Sequence, residues 1–306
     1  MSYIKKLRNF IFDADKRFMY LNSLGFWNYM SDEKYIKKLY RIMMKKELNL
    51  KTPRTFNEKL QWLKLYDRNP MYTTMVDKYE VKKYVEEKIG KQYIIPTLGV
   101  WDKFDDIDFD SLPNQFVLKC THDSGGLSIC KDKSNWDKEK AKKKIEKSLK
   151  RNFYHVSREW PYKNVKPKII AEQYMEDSKT GELRDYKFFC FNGVAKALFI
   201  ATERQKANEE VKFDFFDMNF THIDVRQGHP NAPILPNKPE TFDEMYRLAE
   251  VLSKGIPQLR VDFYEVDGKV YFGELTFSHF AGMVPFEPEI WDETFGDWIE
   301  LKKRDL

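Results

Sequence analysis

Two carboxylates stand where carboxylates are costly. Asp262 and Glu274 lie inside the largely apolar run 258–283, QLRVDFYEVDGKVYFGELTFSHFAGM, where an unpaired charge is destabilising. The run reads as two strands around Asp267-Gly268, a two-residue hairpin signal. Leu259, Val261 and Phe263 alternate with Arg260, Asp262 and Tyr264, and Val270, Phe272 and Glu274 alternate with Tyr271, Gly273 and Leu275. Antiparallel pairing across the turn can bring the two carboxylates together, and like charges that close need a cation. Oxygen donors suit Mg²⁺ or Mn²⁺, and Mg²⁺ commonly takes one or two carboxylates plus the oxygens of substrate phosphates. The competing reading is a pair of solvated carboxylates on an edge strand.

A second group lies upstream. The apolar strand FVLK, residues 116–119, runs into CTHDSGG and then a second short strand, Leu127–Cys130. A strand, a small-residue loop with paired glycines and a strand make a hairpin. The same loop can act as a flap whose backbone N–H groups close over phosphates. Lys119 ends a buried strand, where an unpaired lysine is rare, and an anionic ligand would account for it. Two weaker signals are Asp108-Phe109-Asp110, formally a DxD metal motif in an Asp-rich loop, and the histidines His122 and His279. The histidines read as positioning or flap residues before proton carriers.

These groups need elements to hold them. Residues 1 to about 70 look helical. Apolar positions recur at Tyr3, Leu7, Phe10 and Ile11, over 35–48 (Ile36, Leu39, Tyr40, Met43) and over 55–66 (Phe56, Leu60, Leu63, Leu65). Further helices are expected over 77–88, 135–152, 242–254 and 289–301, and strands over 93–96, 168–171 and 212–216. Residues 184–191 and 194–201 form a hairpin across Asn192-Gly193. The basic amphipathic start either touches an anionic membrane surface or docks on its own domain with a solvated lysine face.

The bulk numbers exclude several classes. The 306 residues suffice for two or three subdomains with a real core. Aromatics at 16% argue against disorder. Lys and Arg exceed Asp and Glu by 53 to 48, too small an excess to imply nucleic acid. Cys120, Cys130 and Cys190 form no paired framework or zinc spacing and fit a reducing cytoplasmic compartment. No apolar run reaches membrane-spanning length.

The order of these pieces resembles an ATP-grasp enzyme from residue 74 to about 285. FVLKCTHDSGG, EWPYKNVKPKIIAEQYM, LRDYKFFCFNG and RVDFYEVDGKVYFGELTF resemble signatures of the TupA-like group, associated with teichuronopeptide and other bacterial surface-polymer biosynthesis. TFNEKLQWLKLYD resembles its N-terminal region. The resemblance implies an α+β fold: a helical region over 1–73, then an ATP-grasp domain over 74–306 whose two α+β subdomains clasp ATP between antiparallel sheets. The glycine-flap subdomain would span about 112–172 and the metal-binding subdomain about 173–306.

It also implies roles. Lys78 and Lys119 would bind phosphate, and Ser124, Gly125 and Gly126 would cover the β- and γ-phosphates. Glu172, Gln173, Tyr174 and Met175 would hold adenine, Asp185 the ribose, with Lys187 on the same face. Arg260 would face the transferred phosphoryl group, with His279 as an acid-base helper. Asp262, Glu274 and Thr276 would bind Mg²⁺ or Mn²⁺; Thr276 stands where related ligases carry Asn. The implied reaction is ATP- and Mg²⁺-dependent joining of a carboxylate to an amine through an acylphosphate. The carboxylate would belong to a sugar or amino acid on a capsule, teichuronic or other surface polysaccharide, or its precursor. Replacing Asp262 by Asn is expected to abolish turnover and leave the fold intact. Competing readings are an ATP-dependent sugar kinase on the same fold and a glycosyltransferase resting on Asp108.

Overall fold

The computed structural model describes residues 13–203 and 210–302. The amphipathic repeat at Tyr3, Leu7, Phe10 and Ile11 lies outside the described residues. The described chain opens with α1 (Ala14–Ser23), α2 (Asp32–Met44), α3 (Phe56–Tyr66), α4 (Met71–Val76) and α5 (Val81–Ile89). Helix α3 starts on a reciprocal cap. The Thr55 hydroxyl accepts the Glu58 N–H while the Glu58 carboxylate accepts the Thr55 N–H.

The single helix expected over 77–88 is interrupted. Asp77 accepts the N–H groups of Tyr79 and Glu80 at 2.8 and 3.0 Å, a local turn that competes with helix. Lys78 therefore stands in the turn between α4 and α5, and the boundary expected after residue 73 falls within α4. The strand expected over 93–96 is displaced: Lys91–Tyr93 forms a 3₁₀ turn, and β1 begins later (Thr97–Trp101).

A four-stranded antiparallel sheet follows, built from β1, β2 (Phe116–Cys120), β3 (Leu127–Cys130) and β4 (Ile169–Gln173) in the order β1-β4-β2-β3. Helix α6 (Lys138–Leu149) covers one face through Ala141 and Ile145, and the short α7 (Tyr154–Ser157) leads toward β4.

The second sheet holds β5 (Asp185–Phe191), β6 (Val194–Thr202), β7 (Lys212–Phe216), β8 (His222–Ile223), β9 (Leu259–Val266) and β10 (Lys269–Thr276), ordered β10-β9-β5-β6-β7-β8. Helix α8 (Phe242–Ser253) packs Met245, Leu248 and Leu252 on one face, against Phe188, Val261 and Phe263. The other face meets α3 and α9 (Ile290–Asp297), where Phe56 and Phe295 close on Phe189 and Phe199. Strand β5 is covered on both faces, which explains why it is apolar nearly throughout. Its two charged residues, Asp185 and Lys187, share the α3 face with Phe189 by the two-residue period of a strand.

Gly273 sets the register of the hairpin. Phe272 pairs with Phe263, but the next pair is Glu274 with Asp262, so Gly273 is an extra residue in β10. A Cβ at Gly273 would lie 3.0 Å from the Asp262 carbonyl oxygen. The bulge turns Leu275 into the core with Val270 and Phe272 and sets Glu274 opposite Asp262.

Candidate active site

Between the two sheets opens a cleft of about 190 Å³. Lys78, Lys82 and Lys119 line one side beneath the loop Ser124, Gly125 and Gly126; Glu274 and Gly273 line the opposite side. Ile94, Ile95, Leu127, Tyr264 and Phe272 add apolar surface.

The lysine side is organised by one carboxylate. Glu172, buried at 5% exposure on β4, lies between Lys82 at 2.5 Å and Lys119 at 2.6 Å. Burial pushes its acidity toward the neutral form, but the two ammonium groups overcome that and hold the carboxyl below its usual range. Strand pairing places Glu172 opposite Val117, on the face that Lys119 shares by period two. Lys78 donates to the Asp123 carbonyl oxygen. No carboxylate among the described residues forms an ion pair with it, whereas Lys82 and Lys119 both have Glu172.

The glycine loop is cramped from below. A Cβ at Gly126 would land on Ser148 Oγ and lie 2.7 Å from Asp123 Oδ1, whereas one at Gly125 would meet nothing within 4 Å. The Asp123 carboxylate accepts from Ser148 through Oδ2, and its buried Oδ1 has no partner. His122 Nε2 donates to the carbonyls of Ser148 and Arg151 at 3.2 and 3.0 Å, tying the loop to the end of α6. Its place is that of a loop anchor.

The hairpin carries a denser network. Arg260 Nε and Nη2 donate to the two oxygens of Asp262, both at 2.7 Å. Nη2 also reaches Glu274 and Thr276 at 2.9 Å, and Nη1 donates to His279 Nδ1 at 2.7 Å. Lys187 joins Asp262 and donates to Asp185 at 3.0 Å. Asp262 is fully buried, and the cations that neutralise it are side chains of the protein. Glu274 is the open member, its side chain 45% exposed. Burial would raise its carboxyl, but Lys187, Arg260 and Lys78 hold it down at about 2.

Several expectations change here. His279 is buried, and its proton lies on Nε2 because Nδ1 accepts from a guanidinium. Burial first, then Arg260 and Lys187, push its basicity well below the usual range, so it stays neutral. It accepts from Arg260 and lies outside the cleft lining, where an acid-base helper would stand. Asp185 is buried against Lys187, away from the cleft lining expected of a ribose ligand. Of the four expected adenine-holding residues, only Glu172 lines the cleft, and it does so among the lysines. Gln173 is exposed, Tyr174 bonds to Glu176, and Met175 packs on Ile95 and Val266. Asp262→Asn is expected to cost stability as well as turnover, because it removes the carboxylate shared by Arg260 and Lys187 and leaves them only Glu274 and Asp185. In the DxD motif, Asp108 accepts the Asp110 N–H at 3.1 Å as a local turn, both aspartates are exposed, and Phe109 packs on the small sheet.

Two cleft residues escaped the sequence reading. Lys82 follows Lys78 by four positions, a spacing that was available as a signal. Asp123 sits within CTHDSGG, but nothing local announced its buried carboxylate.

The residues fit a nucleotide and a metal. The cleft combines apolar surface with three ammonium groups beneath a loop whose Gly126 leaves no room for a side chain. Glu274 is an ionised, half-exposed carboxylate facing them. Among the described residues no three His, Cys, Asp or Glu side chains surround a common point. A metal would therefore take Glu274 and draw its other oxygens from phosphates and water. Asp262, closed off by Arg260 and Lys187, and Thr276, held by Arg260, do not offer themselves in this arrangement.

The family described as TupA-like ATPgrasp matches residues 58–300. No curated protein matches. Similar solved structures include D-alanine–D-alanine ligase from Bacillus anthracis complexed with ATP (14% identity, 68% of this chain and 55% of that one, TM-score 0.39). Others are an L-amino acid ligase from Bacillus licheniformis (12%, 81% and 55%, 0.45) and N5-carboxyaminoimidazole synthetase from Staphylococcus aureus complexed with ADP (15%, 78% and 56%, 0.41). The chain spans little more than half the length of each of these three.

Proposed function

Since the chain belongs to the TupA-like ATP-grasp family, we propose that it is a ligase joining a carboxylate to an amine, with a surface polysaccharide or its precursor as acceptor. ATP and Mg²⁺ are its cofactors. The observation that carries the reading is the lysine side of the cleft, Lys78, Lys82 and Lys119 under the glycine loop, facing the ionised Glu274.

Each group has a task in that reaction. Lys78, Lys82 and Lys119 bind and orient the phosphates, and Glu172 holds the last two in place through its ion pairs. The Ser124–Gly126 backbone covers the phosphates and excludes water. Arg260, fixed by Asp262 and His279, does not itself line the cleft but holds positive charge behind Glu274, which does. Phosphoryl transfer needs this positioning and neutralisation more than a protein nucleophile. When bound, Mg²⁺ supplies further neutralisation of phosphate charge, with Glu274 as its protein ligand. In the proposed sequence a carboxylate oxygen of the acceptor bonds to the γ-phosphorus and ADP leaves. The amine nitrogen then bonds to the acyl carbon, phosphate leaves, and the nitrogen sheds a proton.

The test is hydroxamate formation from hydroxylamine, ATP and Mg²⁺ with a panel of sugar acids and amino acids. A hydroxamate that requires both ATP and a carboxylate supports the ligase. A phosphorylated sugar, with no hydroxamate from any carboxylate, overturns it in favour of a kinase.

A further inference from the structure

We infer that the recess beside the hairpin's open end is the acceptor subsite, and that it takes a hydroxylated sugar ring. This rests on the ligase reading, because it identifies the place where that reaction's second substrate sits.

The recess has two parts. The inner part, about 20 Å³, is lined by Lys64, Tyr72, Gln258 and Ser278. The outer part, about 400 Å³, is lined by Trp62, Tyr66, Pro257 and Lys302. Leu63 and Asp67 line both. Asp67 accepts from Tyr72 at 2.9 Å on the inner side and pairs with Lys302 at 3.4 Å on the outer side.

Gln258 is the observation that points to a ligand. It is 1% exposed, and neither its amide nitrogen nor its amide oxygen has a partner. A buried amide left without partners is costly, and native structures rarely leave one so. Its two ends call for a group that both donates and accepts, which a hydroxyl does. The inner part has room for about one water-sized group, enough for one hydroxyl of a larger molecule lying in the outer part. There Trp62 and Tyr66, with ring centroids 5.1 Å apart, offer broad amphipathic aromatic surface. Asp67 adds an acceptor. Aromatic faces, a carboxylate and an amide suit a sugar better than an aliphatic amino acid.

The position agrees. Gln258 precedes Arg260 by two residues, about 7 Å along an extended chain, and has its parity. Ser278 follows Thr276 by two, and Thr276 pairs with Arg260. The recess therefore continues the line of the charged hairpin away from the nucleotide cleft.

The experiment is ligand-detected NMR and calorimetry with D-glucuronate and D-glucose, and L-glutamate as the control, on the native chain and on Gln258→Leu and Trp62→Ala. Trp62 is half-buried outside the core clusters, so its variant keeps the test open if Gln258→Leu folds poorly. The expected result is saturation transfer to sugar protons in the native chain, at least tenfold weaker sugar binding in either folded variant, and ATP affinity unchanged. Absence of sugar binding to the native chain, unchanged binding in both variants, or binding of L-glutamate alone overturns the subsite. Failure of the native chain to bind ATP would instead overturn the ligase reading, and calorimetry with ATP reads that separately.

Discussion

The cleft is flanked by two versions of one device, a buried carboxylate held between two cations. On the small sheet Glu172 lies between Lys82 and Lys119, whose side chains are 13% and 23% exposed. On the large sheet Asp262 lies between Arg260 and Lys187, at 8% and 11%. The first pair of cations is open to the cleft and built of ammonium groups with rotatable donors, which can take a phosphate without leaving the glutamate. The second pair is closed, and a guanidinium fork fixes its geometry. One arrangement receives the ligand; the other holds a field in place before the ligand comes. Damage to the first should appear in binding, and damage to the second in the fold.

The largest expected effect is at the closed arrangement. Asp262→Asn removes the one carboxylate among the described residues that bonds both Arg260 and Lys187, leaving Lys187 with Asp185 and Arg260 with the half-exposed Glu274. Breaking a buried pair this way costs about 3–5 kcal/mol, to be read by urea unfolding. Wild-type stability would erase the distinction between the two arrangements.

Lys64 gives the next largest effect and sharpens the comparison from outside it. It is a buried ammonium held by three neutral oxygens, of Ala281, Ser157 and Gln61, at 2.6 to 3.1 Å. Burial pulls it down to about 8 despite Glu159. Between pH 8 and the ordinary lysine value of 10.5 the unfolded chain holds the proton more tightly than the folded one. Stability relative to Lys64→Met should therefore rise with pH through that window, by roughly 3 kcal/mol. A pH-independent difference would mean the ammonium pays no burial penalty.

At the open arrangement, Lys119→Met should weaken ATP binding about tenfold, a loss of about 1.4 kcal/mol, in calorimetry with Mg²⁺. Its stability should change less than that of Asp262→Asn, because Glu172 keeps Lys82. Equal losses of stability in the two variants would sink the comparison.

What the sequence disclosed follows the same division. Strand alternation was readable from 116–119 and 258–276, because period two and the Asp267-Gly268 and Asn192-Gly193 turns are local. The carboxylate pair could be named as costly from its apolar surroundings alone. The identity of the neutralising cations could not. Arg260 is two residues from Asp262, but Lys187 is 75 away and meets it through the β5–β9 register. The partners of Glu172 are hidden for the same reason: Lys82 and Lys119 come from a helix and a neighbouring strand. The helix expected over 77–88 broke because Asp77 satisfies the next N–H groups itself, an interaction that helical periodicity does not register. The Gly273 bulge was invisible to alternation, and a one-residue slip decides which side chain faces Asp262.

The smallest effect should come from acid. Glu274 belongs to the closed network by its hydrogen bond to Arg260 and to the open cleft by its exposure. Its carboxyl is held at about 2 against an ordinary 4.5, so its contribution to stability is complete above about pH 4.5 and is lost as pH falls toward 2. Solvent reaches almost half of the side chain, and screening should leave less than ~1 kcal/mol. The measurement is the stability difference between wild type and Glu274→Gln from pH 6 down to the acid transition. A small difference that closes with falling pH places Glu274 with the open arrangement. A difference as large as that of Asp262→Asn would place it inside the closed one and leave the cleft without a carboxylate free to turn toward a metal.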